Sequence, residues 1–309
     1  MSTRTTHPRD RIDGNLLLDK PLGLSSNDAL VRARRLLGAR KAGHGGTLDP
    51  LAIGLLPLLF GEATKFAHDS LEADKTYRAE ILLGVATDTG DAEGQVLAEC
   101  EPVRDEAAVR EAVAGFVGEI EQVPPMHSAL KRDGRPLYEL ARQGVVVDRA
   151  ARRVTIFAID VLRFAAPLLE LRIRCSKGTY VRSLAMDLGE RLGCGAHLRA
   201  LRRERVGALD VADAVTLEAL EALSLEARRA RLLAPDALLA SLPRIDLDAE
   251  SAVRFVQGQR LRLRQPSPDG RVRVYAAGRL LGVGRRESDA LLPHRLVSTA
   301  APDTDEKGR

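Results

Sequence analysis

Apolar positions along the chain recur in two rhythms. Tyr77, Ala79, Ile81 and Leu83 alternate with polar neighbours, and so do Leu169, Leu171, Ile173 and Cys175, which predicts two half-buried strands. Gly14 to Asp19 predicts a short apolar strand ending at Lys20-Pro21. Ala29, Leu30, Ala33, Leu36 and Leu37 follow helical spacing instead, with Ser25, Ser26 or Asn27 as N-cap and Gly38 as the stop. Helices are also predicted over Glu62 to Ser70, Asp105 to Phe116, about Tyr180 to Leu192, 216–223 and 235–242. Thr87 to Gly94, rich in Thr, Asp and Gly, predicts a connecting turn. From about Ile245 the pattern changes to short strands separated by turns at Gln257-Gly258, Pro268-Asp269-Gly270, Gly278 and Gly282-Val283-Gly284.

At 309 residues the chain is long enough for about two domains. No apolar run reaches bilayer-spanning length, and Met1 to Arg11 is polar, so neither a membrane span nor a secretory signal is expected. Cys100, Cys175 and Cys194 are odd in number and lack CxxC spacing, which suits a reducing cytoplasm and argues against a zinc site. The charge is unevenly spread. Lys131 to Arg153 holds seven Lys/Arg against three acids, and Arg260 to Arg286 holds eight Arg against one Asp. Such runs fit solvated faces, or a polyanion partner. Leu198 to Arg205 reads as a further basic patch. With no Trp and only four Tyr, stacking on nucleobases would rest on very few positions.

One stretch organises the rest. In Gly43-His44-Gly45-Gly46-Thr47-Leu48-Asp49-Pro50 a single carboxylate sits in a glycine-rich loop. Pro50 disfavours helix at Asp49, and the apolar run Leu51 to Phe60 anchors the loop to a core. By itself Asp49 fits a structural turn as well as a catalytic acid. The stretch resembles the nucleophile motif of the bacterial TruB-type tRNA pseudouridine synthases. Leu18-Asp19-Lys20-Pro21 with Ser25-Ser26-Asn27, Lys75-Thr76-Tyr77, Cys175 to Arg182, and Gly193 to Leu198 resemble other blocks of that family, in the family's order.

The resemblance implies an α+β fold: a catalytic domain over 12–243 around a mixed, mainly antiparallel sheet, and a small C-terminal β-barrel-like PUA domain over 245–299. Residues 1–11 and 300–309 are expected as disordered ends, and 124–153 as a thumb-like insertion that closes on RNA. His127 stands in that insertion where other members have Tyr. The implied activity is isomerisation of the T-loop uridine of tRNA (position 55) to pseudouridine, with tRNA as partner, no cofactor, no metal and no obligate protein partner. A cytoplasmic monomer is expected. Asp49 would be the nucleophile, Arg182 would pair with it and keep it ionised, and Tyr77 would stack on the base and act in proton transfer. Tyr180 and Leu201 would line the pocket, Lys20 would shape it or meet phosphate, and His44 would contact RNA beside the flipped base. Each also fits a plainer role: core packing for Tyr77, Tyr180 and Leu201, a surface helix for Arg182. The rival readings are a guide-RNA-dependent synthase, an RNA chaperone without catalysis, and a metal hydrolase.

Overall fold

The computed structural model describes residues 10–298, apart from 127, 129, 133, 144, 146 and 264–267. His127 of the insertion and both chain ends therefore lie outside the described residues. Asp10 and Arg11, counted by sequence with the N-terminal arm, are held: Asp10 bridges to Ala39, and Arg11 pairs with Glu62 at 3.6 Å.

Ten strands form one sheet among the described residues. They are β1 (Gly14–Lys20), β2 (Ala42–His44), β3 (Ala52–Phe60), β4 (Lys75–Leu83), β5 (Gly118–Gln122), β6 (Arg152–Ala165), β7 (Leu168–Cys175), β8 (Ala196–Val206), β9 (Leu209–Asp210) and β10 (Val215–Thr216). Their order is β10-β1-β3-β8-β4-β7-β6-β5, with β2 on β3 and β9 on β8. Only β1–β10 and β3–β8 pair in parallel. β3 is apolar on both faces because it is central, and all but one of its residues are buried. One of its edges pairs with β1 along nearly its whole length. The other is divided between β8 at Ala52–Gly54 and β2 at Leu58–Phe60. The Asp49 loop leaves β2 and returns at the start of β3, so it crosses the gap between those two partners.

β4 has the predicted alternation. Tyr77, Ala79, Ile81 and Leu83 turn into the core, while Arg78 on the opposite face pairs with Glu170 of β7. Helices α1 (Ser26–Leu36), α2 (Glu106–Ala114) and α3 (Val181–Arg191) cover the core face and supply Ala29, Ala33, Val109, Leu184 and Leu188 to it. Ser25 caps α1 by accepting from the Asp28 N–H, and Asp105 caps α2 by accepting from that of Ala107.

Several segments differ from the sequence reading, among them a helix at Ala249–Val256 where short strands and turns are expected. Leu198 to Arg205 is the body of β8, between β3 and β4, and its exposed Arg199 and Arg205 are paired with Glu80 and Asp210. The charged side chains conceal a central strand, because Arg202 turns to Asp19 (2.7 Å) and Arg203 turns inward. The stretch 235–242 holds only a 3-10 turn at Ala237–Leu239, and 61–72 starts as 3-10 helix before an α-helix at Ala67–Glu72.

The C-terminal sheet consists of β11 (Arg244–Leu247), β12 (Leu261–Arg262), β13 (Gly270–Ala276), β14 (Arg279–Glu287) and β15 (Ala290–Leu296), in the order β11-β13-β14-β15-β12. Helix α4 (Ala249–Val256) closes its core of Leu247, Phe255, Val272, Val274 and Leu291. This curled sheet is PUA-like. It is seated on the larger unit by Phe66, Leu239 and Val283, by Lys65 donating to the Leu296 carbonyl (2.9 Å), and by Arg271 against Asp69.

Candidate active site

The Asp49 loop is fixed from several sides. Its Gly45 N–H donates to the Pro57 carbonyl (2.8 Å), and the Gly45 carbonyl accepts from Ser70 (2.6 Å). A Cβ at Gly45 would overlap the Ser70 side chain, so this contact requires glycine. Ser26, buried at the start of α1, accepts from the Leu48 N–H (2.8 Å) and donates to the Leu48 carbonyl (3.0 Å). The Asp49 carbonyl takes the N–H of Ala52 (3.0 Å), and the Pro50 carbonyl that of Gly23 (2.9 Å). From beneath, Arg203 donates through Nε to the Leu55 carbonyl (2.7 Å), through Nη2 to Gly46 (3.2 Å) and through Nη1 to Thr47 (3.4 Å). The acid thus stands on irregular backbone that has little freedom to move.

Arg182, on the first turn of α3 and 4% exposed, reaches the Asp49 carboxylate with Nη2 at 2.9 Å. Its Nη1 lies 3.5 Å from Asp91 and 3.4 Å from the Thr89 carbonyl, to which it donates. Asp91 is itself buried and held by the Thr89 hydroxyl (2.6 Å) and the Glu93 N–H (3.1 Å). Burial pushes the Asp49 carboxyl above the usual carboxylate range, and Asp91 adds to that push, while Arg182 and Lys20 oppose it. Arg182 is thus the larger of the two charges that favour the ionised acid. The cation acts downward, but burial is the larger effect in the free protein. The Asp49 side chain remains 40% exposed toward a cavity of about 500 Å³, lined among others by Ser25, His44, Thr47, Glu93 and Arg182. A second cavity of about 510 Å³, between Asp69–Thr76, β8–β9 and residues 237–242, contains none of the sequence-predicted residues.

Of the remaining candidates, His44 lines this cavity and Tyr77, Lys20, Tyr180 and Leu201 do not. Tyr77 is 9% exposed with its ring in the core; burial raises its phenol, Arg203 opposes and the Asp49 charge adds to the rise. Lys20 is fully buried and donates to the carbonyls of Pro21 (2.9 Å) and Leu24 (2.6 Å). This placement suits shaping the site and not meeting a phosphate. Burial brings its ammonium down to about 8. Burial and the Arg203 charge lower His44 as well, leaving a neutral ring whose buried Nδ1 has no partner among the described residues. Tyr180 precedes α3 with its backbone clasped both ways by Gln122: N–H to Oε1 at 3.0 Å, carbonyl from Nε2 at 3.3 Å. Leu201 packs against the core from β8, in register with Ala79 and Ala52.

Asp91, Gln122 and Arg203 were not singled out by sequence. Asp91 sits in what reads as a polar turn, and Gln122 before a Pro-Pro break. Arg203 was hidden by the charged residues around it. Among the described residues no group of three His, Cys, Asp or Glu could hold a metal, and no helix is long and apolar enough to cross a membrane. A carboxylate on fixed backbone, a buried guanidinium against it, and a polar hollow in front form a site for charge-assisted chemistry on a ligand that enters from solvent.

Three family profiles tile most of the chain. Residues 34–181 match "TruB family pseudouridylate synthase (N terminal domain)", 182–252 match "tRNA pseudouridylate synthase B C-terminal domain", and 243–297 match "Pseudouridine synthase II TruB, C-terminal". The tRNA pseudouridine synthase B of Ralstonia nicotianae is 61% identical over 307 residues, covering 96% of this chain and 98% of the relative. That of Burkholderia mallei is 60% identical over 308 residues, covering 97% and 99%. Among solved structures, a Cbf5-Nop10-Gar1 complex matches at a TM-score of 0.67 and 26% identity, over 88% of this chain and 78% of that one. An H/ACA RNP bound to a substrate RNA containing 2'-deoxyuridine matches in fold at a TM-score of 0.69 and 23% identity, over 92% and 84%. With its family blocks, its sheet and its pinned acid loop all in agreement, the chain belongs to the TruB family of pseudouridine synthases.

Proposed function

We propose that the chain isomerises a uridine of tRNA to pseudouridine, that the uridine is the one at position 55 of the T-loop, and that Asp49 is the nucleophile. The reaction breaks the bond from C1′ of the ribose to N1 of uracil, turns the detached base and joins C1′ to C5. The hydrogen on C5 leaves as a proton and N1 gains one, so composition and oxidation level are conserved and no cofactor is required. The observation that carries this reading is the Asp49 carboxylate, set 2.9 Å from buried Arg182 at the open side of a polar cavity. An ionised carboxylate can attack or stabilise the electron-poor centre at the sugar–base junction, and a fixed cation holds it there.

The uridine must leave the T-loop stack to reach this carboxylate. His44, with its flat neutral ring on the cavity wall, suits the gap left behind. Tyr77 stands under the base, Tyr180 and Leu201 border the pocket, and Lys20 shapes it from within. Residues 124–153 act as a thumb that closes on the T-arm, and the PUA-like region, 245–299, extends the grip along the RNA. The protein acts as a cytoplasmic monomer without an obligate protein partner.

The test is direct. Purified protein is incubated with an unmodified tRNA transcript, and pseudouridine is mapped by chemical probing. Asp49→Asn should abolish isomerisation and leave tRNA affinity nearly intact, because binding is spread over phosphates and loop shape. Turnover within about tenfold of wild type would sink the nucleophile assignment.

A further inference from the structure

Ser25 and Ser26 stand side by side at the start of α1, and only one of them serves the helix. Ser25 is the N-cap, accepting from the Asp28 N–H at 3.1 Å. Ser26 is 2% exposed, and its hydroxyl turns away from the helix to Leu48, 22 residues further on. It accepts from the Leu48 N–H at 2.8 Å and gives its one hydrogen to the Leu48 carbonyl at 3.0 Å. One hydroxyl thus holds both polar groups of one residue, as a paired strand would. Leu48 is 4% exposed with its side chain in the core, so its backbone depends on this serine and not on water.

Asp49 follows directly. On its far side the Asp49 carbonyl takes the Ala52 N–H at 3.0 Å, while Pro50 has no N–H by which to be held. The carboxylate is therefore slung between one anchor after it and Ser26 before it. Its partner Arg182 stands on α3, a separate element, so their 2.9 Å contact requires loop and helix to agree in position. We infer that Ser26 is a positioning residue for the isomerisation: through the Leu48 backbone it holds the Asp49 carboxylate against the Arg182 guanidinium. The inference rests on the pseudouridine reading above. Ser26 passes no proton to the ligand, because its hydrogen is held by the Leu48 carbonyl; it acts through the loop. Alanine at this position would leave α1 its Ser25 cap and leave the loop without its tie to that helix.

The experiment is a double-mutant cycle in single-turnover pseudouridine formation at saturating unmodified tRNA transcript. Wild type, Ser26→Ala, Arg182→Met and the double variant are compared, with tRNA binding and thermal unfolding measured for each. Ser26→Ala should slow the rate constant roughly tenfold to a hundredfold, the size expected when a reacting group is displaced by about 1 Å, with tRNA affinity within about twofold. In the Arg182→Met background the same substitution should cost less than about threefold more, because the partner it aligns is gone. Asp105→Ala removes the N-cap of α2 and controls for lost stability alone; it should unfold earlier and keep the wild-type rate. A control slowed as far as Ser26→Ala would overturn the inference. Losses that multiply in a folded chain would overturn it as well, since a merely structural role lowers the rate equally in both backgrounds. So would a rate for Ser26→Ala within about threefold of wild type. Should that variant unfold below the assay temperature, Ser26→Cys, with its weak thiol donor, carries the same cycle with the same outcomes. A wild-type chain that forms no pseudouridine in tRNA overturns the functional reading first, which separates the two failures.

Discussion

Two groups of cations are held in different ways. Around the site, backbone carbonyls hold them: Lys20 on Pro21 and Leu24, Lys75 on Ser70, Leu71 and Ala73, Arg203 on Gly46, Thr47 and Leu55. Where the C-terminal sheet meets the larger unit, carboxylates take part: Arg271 meets Asp69, and Arg273 meets Asp236 at 3.2 Å beside the Leu242 and Ala240 carbonyls, with Tyr275 donating to the same Asp236 at 2.6 Å. A carbonyl satisfies a donor without cancelling its charge, whereas a carboxylate does both. The carbonyl-held group therefore leaves net positive potential under the pocket, useful for a phosphate-bearing ligand, and burial pulls both lysines down to about 8. The carboxylate-held group is neutral and serves as a joint. Arg182 is the exception at the site, since its partners are the acids Asp49 and Asp91.

That exception offers the largest effect. Arg182→Met removes the cation facing Asp49 and should slow single-turnover isomerisation roughly 10²–10³-fold. Burial and Asp91 already push the Asp49 carboxyl upward, so losing its strongest opposing charge should move the acid limb of rate against pH further up. Binding controls at each pH separate this from weakened RNA affinity. A variant slower at every pH with its limb unmoved would show that Arg182 does something other than favour the ionised acid.

The carbonyl-held lysines make the next prediction, on stability. Lys75 has its folded value near 8 against an ordinary value of 10.5. Between those values the unfolded chain keeps the proton and the folded chain releases it, so stability rises with pH across that window. The cost of burying the charge is in full force below about pH 8. Denaturant unfolding of wild type should strengthen from pH 8 to 10 by up to about 1.4 kcal/mol per pH unit relative to Lys75→Met. Parallel curves would mean that the three carbonyls solvate the ammonium as well as water does.

The smallest effect belongs to the joint. Asp236→Asn leaves Arg273 without its counter-ion but keeps an acceptor for Tyr275, and should cost about 2 kcal/mol. Differential scanning calorimetry should show the loss in the seating of the C-terminal sheet, with the isomerisation rate at saturating tRNA unchanged. A matching fall in that rate would show that the joint also shapes the site.

The legible parts were those whose partners lie nearby in sequence or whose period is undisturbed. β4, β7 and α1 show their burial through Tyr77 to Leu83, Leu169 to Cys175 and Ala29 to Leu37. The family blocks gave the α+β fold, and they brought Asp49 and Arg182 into view together. β8 was lost because Arg199, Arg202, Arg203, Glu204 and Arg205 obscure Leu198, Leu201 and Val206, and the acceptors that turn Arg203 inward belong to another segment. The same limit applies to the C-terminal arginines. Counted along the chain they face one acid, but Asp69 and Asp236, far outside that stretch, neutralise two of them. Charge per stretch of sequence is not charge per area of surface.

The parallel pairing of β3 with β8 also has a consequence for the time at which the site comes into being. The contact from Arg203 to Leu55 spans 148 residues of chain. At synthesis rates of roughly 5–20 residues per second, the Asp49 loop emerges about 7–30 s before the strand that supports it from beneath. Through that interval the Gly46, Thr47 and Leu55 carbonyls have only water to bind, and closing so long a loop is among the slower steps of folding. The Asp49 loop is thus made early and supported late, so the site is not complete in a nascent chain until β8 has been released.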